Sequence, residues 1–338
     1  MPQGIALLRI LADGRVHSGE IIGRMLGISR AGVWKHLRTL KGQGIEIHSV
    51  PGKGYRLAGP VELLSEGQIR AALSARAAAR LSGLELHQQL DSTNSELRRR
   101  AAALSSGYAC LAEAQSAGRG RHHRRWISPY ARNLYLSLLW RFDAGPEALA
   151  GLSLAVGIAV LRALHRLGIR EVGLKWPNDL VWRGAKCAGV LIEMTGESCG
   201  SCSVVIGVGI NVSMSSELGS AIDQPWVDLA AITGQAVSRN RLAGTVISEL
   251  IELLAEFERT GLTPLMEEWR RHDIVHGRPV TVLTAQGEET GVACGIDAGG
   301  ALLVKNESGV RRHLSGDVRL RPLAHLPAPL LSPVGHDT

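Results

Sequence analysis

Apolar residues in the first sixty positions recur at helical spacing three times, and then the period changes. Ile5, Leu8, Leu11 and Ala12 form a stripe that Asp13-Gly14 stops. Ser18 caps a second helix turning Ile21, Ile22 and Leu26 inward, and Gly27 ends it. Ser29 caps a third, buried on Val33, Leu37 and Leu40, with Arg30, Lys35, Arg38 and Lys41 on its opposite face. After Gly42 and Gly44 the period falls to two through Ile45 and Ile47, and Pro51-Gly52-Lys53-Gly54 predicts a hairpin tip with an exposed lysine. An Ala/Arg-rich stretch then predicts a linker helix over 61–83. Beyond it strand-like and helix-like stretches alternate: strands at 84–90, 109–115, 133–140, 172–175, 187–193 and 203–210, and long helices at 146–168 and 240–260. The C-terminal part is strand-rich, with turn signals at Gln286-Gly287, Asp297 to Gly300 and Ser308-Gly309, and reads as a small β-barrel. Residues 326–338 are Pro-rich and read as a frayed tail. The expected class is α+β in five parts: 1–60, 61–83, 84–272, 273–325 and 326–338.

Charge sharpens the reading of the first part. Residues 1–60 hold nine Lys/Arg against three acids, whereas the remaining chain, with 29 bases and 28 acids, is nearly neutral. A basic end on a balanced body suits a polyanion-binding module joined to something else. Helix, turn, basic helix and basic-tipped hairpin is the plan of a winged helix-turn-helix. Ser29, Arg30, Trp34, Lys35 and Arg38 would lie toward the DNA major groove and Lys53 toward backbone phosphate. A helical interaction module with a merely solvated basic face is the alternative. With 45% apolar and 20% charged residues the chain can bury real cores, which excludes disordered, collagen-like and disulfide-scaffold classes. The run Ala148–Leu161 suits a buried helix better than a bilayer span, and Arg9 interrupts the first apolar stretch, against a signal peptide. Five scattered cysteines fit reduced thiols in a cytoplasm. The Cys199/Cys202 spacing matches a redox or half-zinc motif but has no second pair, and His272 and His276 read as helix-end residues, so no protein metal site is expected.

Three stretches carry candidate chemistry. The densest is Gly118-Arg119-Gly120-Arg121-His122-His123-Arg124-Arg125-Trp126, inside a span from 114 to 142 without an acid. Glycines let a backbone approach a ligand closely, and guanidinium forks suit phosphate or carboxylate oxygens. Composition alone allows a phosphate site, a nucleic-acid patch or a solvated loop. Lys175-Trp176-Pro177-Asn178-Asp179 precedes Lys186 at the start of an apolar strand; Lys186 is either a point charge for a phosphate or an exposed edge residue. Asp91-Ser92-Thr93-Asn94 follows a strand and precedes a helical stretch, so its hydroxyls either cap that helix or bond a polar ligand.

Together, Ser92-Thr93-Asn94, Gln115 with Gly118–Arg121 and Trp126, Lys175 to Asp179 with Lys186, and Gly207-Val-Gly-Ile-Asn211 resemble the biotin protein ligase family in order and spacing. With its Val50–Tyr55 wing, the chain resembles the bifunctional members that are both ligase and biotin operon repressor, over roughly residues 5–324. The resemblance implies an SH3-like form for the C-terminal β-barrel and a mixed-sheet, class II synthetase-like central domain that joins biotin to ATP with Mg2+ and passes biotin to a lysine of a biotin carboxyl carrier protein. By similarity, Ser92, Thr93, Asn94 and Gln115 bind the ureido ring, and the backbone around Gly120 holds the carboxylate end. Arg119, Arg121, Arg124 and Lys186 face the phosphates, with Lys186 the α-phosphate partner; Arg119, Arg121 and Lys186 also border biotin, and Asn178 binds the adenylate. Asn211 and Trp226 receive the adenine, and Asp179 orients or deprotonates the acceptor lysine. A homodimer formed on adenylate binding would occupy operator DNA. The loop departs from the family pattern at His122-His123, where a glycine usually precedes the next arginine. A ligand-sensing transcription factor without ligase activity and a lipoate-type acyl ligase are the competing readings.

Overall fold

The computed structural model describes residues 2–42, 45–57, 61–195, 202–214, 216–284 and 287–320. Cys199, Gln286 and the 326–338 tail lie outside the described residues. Helices α1 (Pro2–Leu11), α2 (Gly19–Leu26) and α3 (Arg30–Gly42) are followed by a hairpin of β1 (Ile47–Val50) and β2 (Gly54–Leu57), whose Ile47 faces Leu57. Ser18 Oγ accepts the Ile21 N–H, and Gly27 ends α2 in the left-handed region at φ 65°. The inward faces differ from the sequence reading in two places. Leu7 with Leu8 and Leu11 fills the core where Ile5 was expected, and Ile21 is 49% exposed while its neighbour Ile22 is fully buried. Adjacent residues lie about 100° apart on a helix: in α2 only Ile22 of the Ile21–Ile22 pair turns inward, whereas α1 buries both Leu7 and Leu8.

The linker is not one helix. It forms α4 (Glu66–Ala71) and α5 (Ala75–Arg80), separated at Ser74, whose hydroxyl caps the second by accepting from Ala77 N–H. The Ser74 N–H donates to Ser248, so the break is pinned rather than slack.

The central part is a seven-stranded mixed sheet. Its chain order is β3 (Gly83–His87), α6 (Thr93–Arg100), β4 (Tyr108–Ala112), β5 (Leu134–Phe142), α7 (Leu152–Arg166), β6 (Gly173–Lys175), β7 (Asp179–Trp182), β8 (Ala185–Thr195), β9 (Cys202–Ile210), α8 (Ser216–Gly219), α9 (Leu229–Thr233), α10 (Arg239–Thr260) and α11 (Met266–His272). The spatial order is β3-β4-β5-β9-β8-β7-β6, with only β3 and β4 parallel. Helices α7 and α10 cover one face and α6 part of the other, so β5 is apolar at nearly every position. By length and composition 146–166 could cross a membrane, but its residues are buried against the sheet, which accounts for its apolarity. Cys202 opens β9 rather than lying in the turn before it.

Five antiparallel strands close the fold: β10 (Pro279–Thr284), β11 (Gly287–Ile296), β12 (Leu302–Asn306), β13 (Gly309–His313) and β14 (Asp317–Leu320). Their inward residues Val280, Val282, Ala293, Leu302 and Val304 continue the central core.

Candidate active site

Strand alternation creates the site. On β9, Val204, Ile206, Val208 and Ile210 face the main core, which turns Gly207 and Gly209 to the opposite face. Ser137 on β5 pairs with Gly207, and Gly189 on β8 pairs with Gly209. Four small residues on adjoining strands leave that face bare. A Cβ on Gly207 would lie 2.4 Å from Asn94 Oδ1, and one on Gly209 would lie 2.5 Å from the Trp126 ring. The glycines thus let two side chains lie flat against the sheet and form the walls of a cavity of about 360 Å³.

Ser92, Thr93, Asn94, Gln115, Arg119, Gly120, Arg121, Arg124, Asn178, Asp179 and Lys186 all border this one cavity. Ser92 stands at the N-terminal boundary of α6 but makes no side-chain cap bond, which leaves its hydroxyl unengaged by the helix. Gln115 Oε1 accepts the Thr93 N–H at 2.9 Å, and its Nε2 donates to Ser128 Oγ at 3.0 Å. The bridge Leu90–Gln115 and the bonds from Ser116 and Ala117 N–H to Leu90 and Asp91 carbonyls hold the two motifs side by side.

Lys186 is not an edge residue. It sits on interior strand β8, largely buried, with Nζ 2.5 Å from Asp179 Oδ1 and 5.5 Å from the Trp126 ring centroid. The four-residue β7, absent from the sequence reading, makes this contact by pairing Asp179 against Gly189. Asp179 is therefore engaged by an ammonium rather than free as a base.

The arginines divide. Arg121 Nη1 donates to Gly316 O at 3.1 Å and lies 3.7 Å from Asp317 Oδ1, and burial holds its guanidinium below the usual arginine range. Arg124 pairs with the same Asp317 carboxylate. Arg119 borders the cavity toward the Asn94 end, where its Nη2 donates to Ser95 Oγ and Glu193 Oε2. Within the loop His122 stands in left-handed backbone (φ 51°, ψ 39°), one position before the place where the family pattern has its glycine. Asn178 Nδ2 donates to Val190 O, and Asn211 Nδ2 donates to the carbonyls of Lys186 and Val227, so both amides brace backbone. Trp226 and Asn211 line a small recess beside Lys186, and Gly219 of α8 closes on the Trp226 ring.

Sequence reading missed Asp317, Glu193 and Ser137. Each is distant along the chain from the motif it serves, and an isolated acid or serine in a strand carries no spacing signal. Trp126 was seen only as part of the loop motif.

On the first domain, Arg30, Trp34, Lys35 and Arg38 are exposed on α3, with Ser29 at its start and Lys53 at the wing tip. Trp34 is 55% exposed, and the Arg38 guanidinium lies 5.5 Å from its ring centroid.

Fold and site define a class: a winged helix-turn-helix joined to a ligase-type catalytic domain that carries a small C-terminal barrel. The biotin/lipoate A/B protein ligase family model matches residues 86–211, an HTH domain model 5–56, and a biotin protein ligase C-terminal domain model 275–321. The bifunctional ligase/repressor BirA of Escherichia coli strain K12 is 42% identical over 317 residues, 94% of this chain and 97% of that protein. The protein of the same name in Bacillus subtilis strain 168 is 31% identical and covers 90% and 93%. The biotin protein ligase from Aquifex aeolicus in complex with biotin and ATP superposes with a TM-score of 0.61 at 29% identity, over 71% of this chain and 98% of that one. The chain belongs to the family of bifunctional ligase/repressor BirA proteins.

Proposed function

We propose that this chain is an ATP-dependent biotin–protein ligase that also represses biotin synthesis genes when its adenylate product accumulates. The observation that carries this reading is the convergence of the Ser92–Asn94 turn, the arginine loop and Lys186 on one cavity. Its size falls in the range of small-molecule sites, roughly 300–1,000 Å³. Polar groups at one end suit a cyclic urea, and cations at the other suit phosphates.

No nucleophile from the protein is required. A biotin carboxylate oxygen attacks the α-phosphorus of ATP, and pyrophosphate leaves. The neutral ε-amine of an acceptor lysine then attacks the acyl carbon, the amide forms, AMP leaves, and the amine gives up its proton. The protein brings two anions together and stabilises charge that grows on phosphoryl oxygen. Lys186 and Arg121 supply that stabilisation, Arg124 holds the outer phosphates, and Trp226 and Asn211 border the adenine recess. Asp179 first anchors Lys186; once Lys186 turns to phosphate, its carboxylate is available to orient the acceptor amine. Mg2+, when bound, neutralises triphosphate charge. Asp179 and Asp317 are hard oxygen donors of the kind that would hold it, although each is paired with a cation.

The acceptor is a biotin carboxyl carrier protein. The repressor is a homodimer presenting two α3 helices to a palindromic operator, and the location is cytoplasmic, in keeping with the free thiols of Cys110, Cys187, Cys202 and Cys294. The working units are 1–60, 61–83, 84–272, 273–325 and 326–338.

Transfer of labelled biotin to a carrier fragment, dependent on ATP, tests the enzyme; absence of transfer leaves a ligand-sensing regulator. In a pyrophosphate-exchange screen of acyl acids, biotin is expected to be the active substrate, and lipoate activity without biotin activity overturns the assignment. Binding to DNA upstream of biotin synthesis genes should tighten with biotin plus ATP and weaken steeply as salt rises. Affinity indifferent to both ligands removes the repressor half. Asp317→Ala should raise the KM for ATP about threefold to fivefold, the scale of an exposed ion pair, and leave biotin affinity unchanged. An unaltered KM separates the barrel from nucleotide binding.

A further inference from the structure

Behind the ureido end of the cavity a hydrogen-bond chain runs from the lining residues Thr93 and Asn94 to Ser137 and Glu193, which do not border it. Asn94 Nδ2 donates to Glu193 Oε2 at 2.8 Å and to Leu191 O at 3.3 Å. Both partners are acceptors, which fixes the amide with its nitrogen toward β8. Its Oδ1 then faces Ser137 Oγ at 2.5 Å, and the only donor there is the serine hydroxyl. With that hydrogen committed to Asn94, Ser137 Oγ can only accept from Thr93 Oγ1, which stands 2.7 Å away. Thr93 Oγ1 also lies 3.3 Å from Gln115 Oε1, another acceptor. Whichever of the two it chooses, the threonine hydrogen points away from the cavity.

The consequence is a polarised wall. Both amide hydrogens of Asn94 and the hydroxyl hydrogen of Thr93 are committed inside the protein, so both residues offer only oxygen lone pairs to a ligand. Two acceptors side by side match a ligand that presents two N–H donors. We propose that Ser137 and Glu193 are positioning residues that set this acceptor pattern, and that they make the site selective for a cyclic urea over ring systems without N–H groups. The proposal rests on the biotin reading above and adds to it the residues that determine ligand choice. Ser137 is fully buried on β5 and Glu193 lies on β8. Glu193 also accepts from Arg98 Nη1 at 3.0 Å and from Arg119 Nη2 at 3.1 Å, so two guanidinium groups hold the carboxylate on Asn94.

The test measures binding of biotin and of biotin methylated at a ring nitrogen, by calorimetry, to the full chain and to Ser137→Ala, Glu193→Leu and Glu193→Gln. The unsubstituted chain should bind biotin and discriminate strongly against the N-methyl compound. Ser137→Ala and Glu193→Leu each free a rotor or an amide to turn. Each should weaken biotin about tenfold, the scale of one lost hydrogen bond, and shrink the discrimination between the two compounds. Glu193→Gln keeps a carbonyl oxygen for Asn94 Nδ2 and should restore most of both. ATP affinity should remain unchanged in all three, which separates the effect from general damage to the fold. Undiminished discrimination in Ser137→Ala and Glu193→Leu overturns this inference while the biotin reading stands. Failure of the unsubstituted chain to bind biotin overturns both.

Discussion

Lys186→Ala is expected to abolish adenylate formation, with ATP–pyrophosphate exchange falling by about two to three orders of magnitude, whereas biotin binding changes only a few-fold. Removing one preorganised donor from a growing oxyanion costs ~3–4 kcal/mol. Lys186 is placed to be such a donor. Its strand is interior, its ammonium is largely buried, and its approach is shaped by Trp126 on one side and by Gly189 on the other, where a Cβ would meet Nζ at 3.2 Å. Asp179 holds the amine in place at 2.5 Å. A triphosphate carries more charge than that carboxylate and can draw the ammonium away from it. Because the anchor is not the acting group, Asp179→Asn should cost exchange far less than Lys186→Ala. An exchange rate in Lys186→Ala equal to that of the unsubstituted chain removes the lysine from the chemistry and leaves the arginine loop to act alone.

What could be read from the sequence, and what could not, follows the range of the interactions. The winged helix was legible because capping and hydrophobic period are local: Ser18, Gly27 and the Val33–Leu37–Leu40 stripe act within a few residues. The cavity was legible because its members sit in short dense motifs, and the glycines at 207 and 209 mark where the sheet must stay bare. The pairing of charges was not legible. The ion pair of Arg119 is one such case. Its partner Glu193 stands 74 positions further on, in a strand whose apolar neighbours hid it. Asp317 is further still from Arg121 and Arg124, and reaches them only because the barrel folds back on the central sheet. Strand β7 is too short to show alternation, and with it went the contact that makes Lys186 an interior residue.

The largest effect on stability is expected at Arg239→Met. Arg239 and Glu113 form an ion pair at 2.7 Å with side chains only 3% and 2% exposed. Among the described residues no other ion pair is so fully removed from water, and the remaining polar atoms of this one are mostly satisfied. Arg239 Nε donates to Asn133 O and Nη1 donates to Glu62 O, while Glu113 Oε1 accepts the Leu64 N–H. Glu62 in turn caps α10 through Ser238 Oγ and the Asn240 N–H. One guanidinium therefore ties the linker, the end of β4, the approach to β5 and the start of α10. Methionine fills the volume but leaves the Glu113 carboxylate in the interior without its cation, at a cost of ~3–5 kcal/mol. For a domain of this size each kcal/mol lowers the melting temperature by about 2–4 °C, so a fall on the order of 10 °C is expected in the first thermal transition. Adding Glu113→Gln to Arg239→Met should recover much of the loss, because the amide carbonyl still accepts from Leu64 and no charge is stranded. If the pair instead contributes through its own attraction, the double variant stays as unstable as the single one, and the cost lies in the lost bridge rather than in the abandoned carboxylate.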